Sequence, residues 1–306
     1  MTKDFIWLNR RESFRPHAEP AMGSSEAPNR YQCVVRDEHR NTSHTQICEL
    51  IAQHCGANLR ILDVGCSSGY LGAHLRSRGH RVWGIEPSPQ AAEAARAELD
   101  GVFTGTLDEY LQAHQGHGDF DVAIFADVLE HTTGPADLLR QCARLLAANG
   151  RVAISIPNVT HGAIRGMLLE GRWTYQDLGI LDRTHLRFFS RDGFIDLLDE
   201  ASYAVVEMRR TTMSTKDVSR AFRMGLTRGT IGVVESMARD PDVDSFQFVA
   251  LVRAVAHREE AIRLNTSWRL GETLASSDRT VNRVYRSSRR ARSWLQGLGR
   301  FLGILP

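Results

Sequence analysis

The chain has 306 residues, of which 42% are apolar and 24% are charged, and both proportions are close to those of globular proteins. They exclude a disordered, collagen-like or low-complexity chain. The net charge of +2 is unevenly distributed, because residues 279–306 contain seven arginines and no acid, which leaves a mildly acidic body. No apolar run approaches the ~18 residues of a membrane-spanning helix, and the first residues lack the apolar core of a signal peptide.

The chain opens with residues 1–40, a segment with clustered Pro, Gly and Ser that we interpret as an irregular N-terminal extension. From residue 44 onward, short apolar runs alternate with helical patterns. Five such alternations predict a parallel sheet with helices on both faces. Strands are predicted at 60–65, 80–87, 102–103, 120–127 and 151–157, and helices at 44–55, 67–79, 88–99, 106–113 and 135–147.

The order of elements changes after residue 158. The pattern predicts a helix at 160–171, an ordered loop at 173–189, a helix at 191–200 and strands at 203–209 and 245–253. An insertion, residues 210–244, separates the last two strands and contains a predicted helix at about 217–238. The expected organisation is one domain over residues 41–255, followed by a basic tail over residues 256–306.

The five cysteines form no CxxC pair, and their odd number speaks against a disulfide framework. They also do not predict a zinc site. Reduced thiols are typical of a cytoplasmic protein, which is the localisation we expect. The cysteines are Cys33, Cys48, Cys55, Cys66 and Cys142.

A glycine-containing turn follows the first predicted strand in the segment ILDVGCSSGYLG. It carries Asp63, Gly65, Ser67 and Gly69 at alternate positions, and a helix follows at once. Glu86 ends the next strand, where a carboxylate can accept hydrogen bonds from both hydroxyls of a ribose. Ligands bind at the carboxyl ends of such strands, so the pattern predicts a nucleotide site. The glycine spacing of dinucleotide sites and the lysine of phosphate-binding loops are both missing.

Four motifs occur in order along the chain: LDVGCSSG, GIEPSP, FDVAIFADVLEHT and NGRVAISIPN. Together with GRWTYQDLGILDRTHLRFFS at 171–190, they resemble the class I S-adenosylmethionine-dependent methyltransferases. The resemblance is to a branch with DVLEH and LDxTHLRFF motifs that is similar to small-molecule and sugar methyltransferases. It covers roughly residues 40–255. It implies an α/β, Rossmann-like sheet of seven strands with the last one antiparallel, and S-adenosylmethionine as the cofactor.

The resemblance assigns cofactor contacts to the first two strands. Asp63 and Gly65 would border the methionine end of the cofactor, and Gly69 would pack at the start of the following helix. Glu86 would hold the ribose. Ser67 departs from the family pattern because it replaces a common glycine, which its small side chain makes tolerable.

The same resemblance places further contacts after the third and fourth strands. The segment 104–107 would flank the adenine, although Thr106 stands where many relatives have an acid. Ala126 and Asp127 would line the methionine side, beneath the methyl group that is transferred.

The acceptor side is predicted from histidines. Methyl transfer to an alcohol needs a general base, and histidine is the usual base near neutral pH. His131 follows the fourth strand, and His185 lies in the loop region expected to cover the site, so these are the candidate catalytic residues. His161, Tyr175 and Arg187 are candidate substrate-binding residues. No histidine–acid cluster has convincing ligand spacing, so the sequence predicts no metal site.

The aromatic residues Trp173, Phe188 and Phe189 are predicted to belong to the core.

The branch resemblance favours O-methylation of a sugar or another small polar metabolite. Three other functions stay open at this point. The chain could methylate nucleic acid, although its acidic body lacks an electrostatic footprint for phosphates. It could bind the cofactor without catalysis, or Gly65-Cys66-Ser67-Ser68-Gly69 could be the nucleophile elbow of a serine hydrolase.

The tail from Val281 combines arginines with apolar residues at roughly helical spacing. We expect this basic amphipathic segment to dock on the body or on a partner subunit. Contact with an anionic membrane surface is the alternative. The insertion at 210–244 is a candidate lid or homodimer contact.

Overall fold

The computed structural model describes residues 35, 38–114, 118–237, 240 and 242–277. Seven strands form one sheet: β1 (Arg60–Val64), β2 (Arg81–Glu86), β3 (Gly101–Thr104), β4 (Phe120–Ala126), β5 (Leu146–Pro157), β6 (Tyr203–Thr212) and β7 (Ser245–Ala254). Their order is β3-β2-β1-β4-β5-β7-β6. Neighbouring strands pair in parallel except β7, which is antiparallel to both β5 and β6. The predicted Rossmann-like sheet with an antiparallel last strand is therefore confirmed.

Helices cover both faces of the sheet, as the alternation of elements predicted. Side chains alternate along each strand, so that Ile61 of β1 packs on one face while Leu62 and Val64 pack on the other. The first face is covered by α1, α2 and α3, and the second by α4, α5 and α7. The helices are α1 (Ser43–His54), α2 (Tyr70–Ser77), α3 (Pro89–Arg96), α4 (Leu107–Ala113), α5 (Pro135–Cys142), α6 (Gly162–Leu169), α7 (Arg191–Glu200), α8 (Thr215–Ala221), α9 (Arg228–Glu235) and α10 (Arg258–Ser277).

A third apolar cluster joins α6 and α8 to the loop region at 173–189. Its buried members include Ile164 and Met167 of α6, Ile180 and Leu181 of the loop, and Val218 of α8. In addition, α9 packs on α6. This cluster therefore ties the insertion between β6 and β7 to the loop that carries His185.

Two regions differ from the prediction. The strand predicted at 151–157 begins at Leu146, and the helix predicted at 135–147 ends at Cys142. The single helix predicted at about 217–238 is two helices, α8 and α9. Arg223 and Gly225 lie between them with φ angles of +51° and +64°, a left-handed backbone that ends a helix.

The first part of the predicted tail is a helix docked on the body. Asn265 of α10 is fully buried; its side chain accepts from the Val205 backbone N–H at 2.9 Å and donates to Tyr203 O at 2.9 Å. Arg269 pairs with Asp196 and Asp199 of α7 at 2.6 and 2.9 Å. The arginine-rich run from residue 279 and residues 1–34 of the predicted extension lie outside the described residues. Within the described ranges, no helix has both the length and the hydropathy that crossing a membrane requires.

Candidate active site

The turn between β1 and α2 is the glycine-containing loop found in the sequence. Gly65 and Gly69 have φ angles of +76° and +83°, and Ser67 between them has +50°. This left-handed backbone is free for glycine but costs another residue about 1 kcal/mol. A Cβ on Gly65 would lie 2.7 Å from Val128 Cγ2, and one on Gly69 would lie 3.2 Å from Ala95 Cα. The turn is thus held against the end of β4 and against α3 more closely than side chains would allow.

Two acidic side chains from adjacent strands lie beside this turn. Asp63 of β1 is 2% exposed, and its Oδ2 has no hydrogen-bond partner among the described residues. Burial, together with the charge of Glu86, raises the pKa of Asp63 to about 7. Glu86 ends β2 and accepts hydrogen bonds from the backbone N–H groups of Ser67 at 2.9 Å and Ser88 at 2.8 Å. Each carboxylate oxygen has two lone pairs, so Glu86 keeps acceptor capacity for hydroxyl groups.

Asp127, directly after β4, is locked by side chains from β5 and β7. Its φ is +55°. Its carboxylate accepts from Ser155 Oγ at 2.9 Å and from Gln247 Nε2 at 2.8 and 3.0 Å. Burial lowers the pKa of His44 in α1, and the Asp127 charge opposes that effect. A non-glycine residue held in a left-handed conformation by this many partners is typical of functional sites. Ala126, which precedes it, is half-buried.

Thr106 has a local role at the start of α4. Its Oγ1 accepts from the Glu109 backbone N–H at 3.3 Å, and Glu109 Oε2 accepts from the Thr106 backbone N–H at 2.7 Å. This reciprocal pair is a capping box. The contact to adenine expected for this position stays a prediction.

The two candidate catalytic histidines lie against each other. The ring centroids of His131 and His185 are 4.8 Å apart in an edge-to-face arrangement. The loop carrying His185 is bound to the turn carrying His131, because the backbone N–H groups of Leu186 and Arg187 both donate to Glu130 O. Burial, followed by the neighbouring His131, lowers the pKa of His185. The structure therefore brings together two residues that are 54 positions apart in the sequence.

A row of aromatic rings leads from His185 to the surface. Phe188 lies 6.2 Å from His185, 5.3 Å from Trp173 and 6.2 Å from Tyr175, measured between ring centroids. Trp173 and Tyr175 are 40% and 49% exposed. The prediction that Trp173 belongs to the core is therefore wrong, whereas the buried position of Phe189 confirms the same prediction for that residue. Exposed rings beside the histidines suit a surface on which an acceptor packs.

His161 and Arg187 are bound to the protein itself. His161 is fully buried; its Nε2 lies 2.8 Å from Met213 O, and its Nδ1 accepts from the Ala163 backbone N–H at 3.0 Å. Burial lowers the pKa of His161 to about 4. Neither ring nitrogen is left for a substrate, so we do not place His161 in the site. Arg187 donates to Thr133 O at 2.7 Å and lines a cavity of about 410 Å³ between α5 and α7.

Three polar residues of this region were not predicted from the sequence: Glu130, Ser155 and Gln247. Ser155 and Gln247 are polar residues within otherwise apolar strand segments, AISIP and FQFVALV, and that interruption is the signal that could have identified them. Glu130 lies next to His131, but a single acid in a short turn carries no such signal. Glu130 joins this region because its backbone carbonyl accepts hydrogen bonds from Leu186 and Arg187, which are distant from it in the chain.

Comparisons with known proteins agree with this geometry. A family profile described as "Methyltransferase domain" matches residues 36–208. The ubiquinone biosynthesis O-methyltransferase of Shewanella halifaxensis is 28% identical over 148 residues, which are 46% of this chain and 62% of the relative. The enzyme of the same name from Caulobacter sp. is 34% identical over 111 residues, 35% of this chain and 44% of the relative. The chain thus spans about half of the length of these relatives.

Among solved structures, an S-adenosylmethionine-dependent methyltransferase from Archaeoglobus fulgidus superimposes with a TM-score of 0.49 at 14% identity, over 71% of this chain and 96% of that one. The family profile alone spans more than half of the chain. It gives no support to a serine hydrolase, and the names of the relatives give none to a nucleic-acid methyltransferase. With its glycine turn at the end of β1 and its acid at the end of β2, the chain belongs to the class I S-adenosylmethionine-dependent methyltransferase family.

Proposed function

We propose that this protein transfers the methyl group of S-adenosylmethionine to an oxygen atom of a small polar acceptor, such as a sugar. The observation that carries the proposal is the placement of Asp63, Gly65 and Glu86 at the carboxyl ends of adjacent strands, where such cofactors are held. The names of the relatives favour oxygen as the acceptor atom. A sugar as the acceptor rests on the motif resemblance alone.

The chemistry of the donor set fits the cofactor. A buried carboxyl with an unpartnered oxygen, Asp63, suits the ammonium group of the methionine end, which would also favour the ionised form of the acid. Glu86 retains acceptor capacity for the ribose hydroxyls, and the glycine turn leaves room for close approach by the ligand. When bound, the cofactor supplies an electrophilic methyl group on a sulfonium centre.

The chain's own contribution to the reaction is positioning and proton removal. Asp127, held by Ser155 and Gln247, would line the methionine side. His131 and His185 would activate the acceptor hydroxyl, and Tyr175 would support the acceptor from the exposed side of the aromatic row. Alignment of the acceptor oxygen with the methyl carbon accounts for much of the acceleration in such a transfer.

Calorimetric titration with S-adenosylmethionine and S-adenosylhomocysteine tests the cofactor site. Glu86→Gln removes the charge but keeps one acceptor for the turn, so we expect a loss of affinity of at least about tenfold, as for hydrogen bonds to a charged group. Glu93→Gln on the exposed surface of α3 is the matched control and should bind as the wild type does. Well-folded wild type that binds neither compound would refute the proposal.

A screen with methyl-labelled cofactor then tests the acceptor. Transfer of label to a hydroxyl of a sugar or another small polar compound supports the proposal. Cofactor binding without transfer to any such class would instead support a non-catalytic subunit.

A further inference from the structure

The turn after β4 and the loop over it bring three potential metal ligands together. One ligand atom from each of Glu130, His131 and His185 lies within 4.8 Å of the other two. Ligands of a tetrahedral ion with bonds of about 2.1 Å are separated by about 3.4 Å, a difference that side-chain rotation can close. Backbone hydrogen bonds from Leu186 and Arg187 to Glu130 O hold the loop that carries His185 against the turn that carries Glu130 and His131.

The side chain of Glu130 has no other evident role among the described residues. The residue is 1% exposed, and both of its carboxylate oxygens lack a hydrogen-bond partner among the described residues. A buried carboxylate without partners costs several kcal/mol, so such a group normally pairs with a cation or coordinates a metal. Its charged neighbours Asp127 and Asp182 are also acidic. A cation at this place would therefore be attracted by all three carboxylates.

On both histidines, one ring nitrogen lies beside a backbone carbonyl oxygen. His185 Nδ1 lies 3.0 Å from Ile180 O, and His131 Nδ1 lies 3.2 Å from Thr184 O. A carbonyl oxygen can only accept, so Nδ1 carries the proton on each ring, and Nε2 keeps its lone pair. Fixing of the tautomer by a backbone carbonyl is the arrangement found behind metal-binding histidines.

Asp127 is not part of this set. The group of ligand atoms that lie within 4.8 Å of one another does not include it, and its carboxylate is bound by Ser155 and Gln247 instead. The donor set therefore consists of two imidazoles and one carboxylate. This combination leaves coordination positions open and suits a first-row transition metal or zinc better than magnesium, which prefers oxygen ligands.

We infer that Glu130, His131 and His185 form a binding site for a divalent metal ion such as Mn²⁺, Co²⁺ or Zn²⁺. The inference departs from the expectation, drawn from ligand spacing in the sequence, that the chain has no metal site. Ligand spacing in the sequence could not reveal the site, because His185 reaches the other two residues only through the fold.

The consequence for catalysis rests on the proposed function. An acceptor hydroxyl bound at an open position of the ion would lose its proton to water more readily, since a bound divalent ion lowers the pKa of the hydroxyl. The resulting oxygen would attack the methyl carbon as the carbon–sulfur bond breaks. A methyl ether and S-adenosylhomocysteine would be formed. The two histidines would then activate the acceptor by holding the ion rather than by taking the proton themselves.

Metal binding can be measured without cofactor or acceptor. The full-length protein is dialysed against a chelator and titrated calorimetrically with MnCl₂ and ZnCl₂, and CoCl₂ is followed by its visible absorption. We expect one equivalent of metal for the wild type. Both His185→Gln and Glu130→Gln should weaken binding by at least about tenfold, the effect of disturbing even an outer contact of a metal site.

His54→Gln is the matched control, because His54 forms a surface pair with Glu207 at 2.7 Å that offers only two ligands. It should not change the stoichiometry or the affinity. Thermal melting and S-adenosylhomocysteine titration of each variant show that it is folded. Equal affinity in all variants, or no binding by the wild type, overturns the inference. Cofactor binding in the same preparations reports on the proposed function separately, so failure of one leaves the other standing.

Discussion

At the scale of single residues, the buried acid at the end of β1 makes the stability of the protein depend on pH. Asp63 has a pKa of about 7 in the folded protein, against an ordinary value of 3.8. Between these values the folded state keeps a proton that the unfolded chain has lost. Stability is therefore fully present below about pH 4 and falls as the pH rises toward 7, by up to about 1.4 kcal/mol per pH unit.

Urea unfolding of the wild type and of Asp63→Asn, in the absence of cofactor, measures this effect. The variant cannot ionise at this position, so its free energy of unfolding relative to that of the wild type should rise from about pH 4 to about pH 7. Asp108→Asn on the exposed start of α4 is the control and should follow the wild type. Parallel curves for Asp63→Asn and the wild type would contradict the prediction.

The sequence could place Asp63, Gly65 and Glu86 because each follows directly from a strand end, and a strand end is a local signal. It could not place Glu130 or Gln247. Gln247 reaches Asp127 across 120 positions of the chain, through the pairing of β7 with β5. His161 illustrates the opposite error. Its position after β5 predicted a ligand contact, but the 210–244 segment returns over it, and Met213 O binds its ring.

At the scale of elements, Thr106 is expected to stabilise the start of α4 rather than to bind the cofactor with its side chain. Thr106→Ala removes the side-chain half of the capping box and should lower the free energy of unfolding by about 1 kcal/mol. The affinity for S-adenosylhomocysteine should change little, because the hydroxyl is already engaged with Glu109 and any contact of the 104–107 segment with adenine would then be made by the backbone.

Chemical denaturation and calorimetry of the same variant separate the two roles. Thr106→Ser, which keeps the cap, is the control. A large loss of cofactor affinity without a loss of stability would show that the side chain itself contacts the ligand.

Elements marked by an apolar run or by a local start signal were predicted well, and elements that depend on backbone detail were not. The buried runs of β1 and β4 and the start of α3 after Ser88 appear in the structure where the sequence placed them. The break between α8 and α9 was missed, because a positive φ at Arg223 is not encoded in its residue type. The start of β5 was missed for a related reason: Asn-Gly favours a turn, but here it lies in a register irregularity of the strand, with Leu146 before it and Arg151 after it both paired with β4.

At the scale of the whole molecule, α10 belongs to the folded body and is expected to stabilise it. Asn265→Leu removes three side-chain hydrogen bonds and leaves the Val205 N–H and Tyr203 O without this partner. The free energy of unfolding should therefore fall by about 2–3 kcal/mol. Cofactor affinity should not change, because α10 packs on β6, which lies at the opposite edge of the sheet from β2 and β3.

Denaturation of Asn265→Leu, with Thr266→Ala on the same helix as the control, measures this contribution. A variant as stable as the wild type would mean that the buried amide of α10 adds nothing to the stability of the body. The apolar and polar pattern of 258–277 could not show this docking, because it is made by the buried Asn265 amide and by the ion pairs of Arg269.

The third apolar cluster has a consequence for the history of such a protein. It contains no residue of β1, of β2 or of the turn between β1 and α2. Exchanges of residues between β6 and β7 would therefore act first on α6 and on the 173–189 loop, and not on the turn that would hold the cofactor. Descendants of this gene could retune the acceptor side through this packing, while the β1–α2 turn continued to hold the methyl donor.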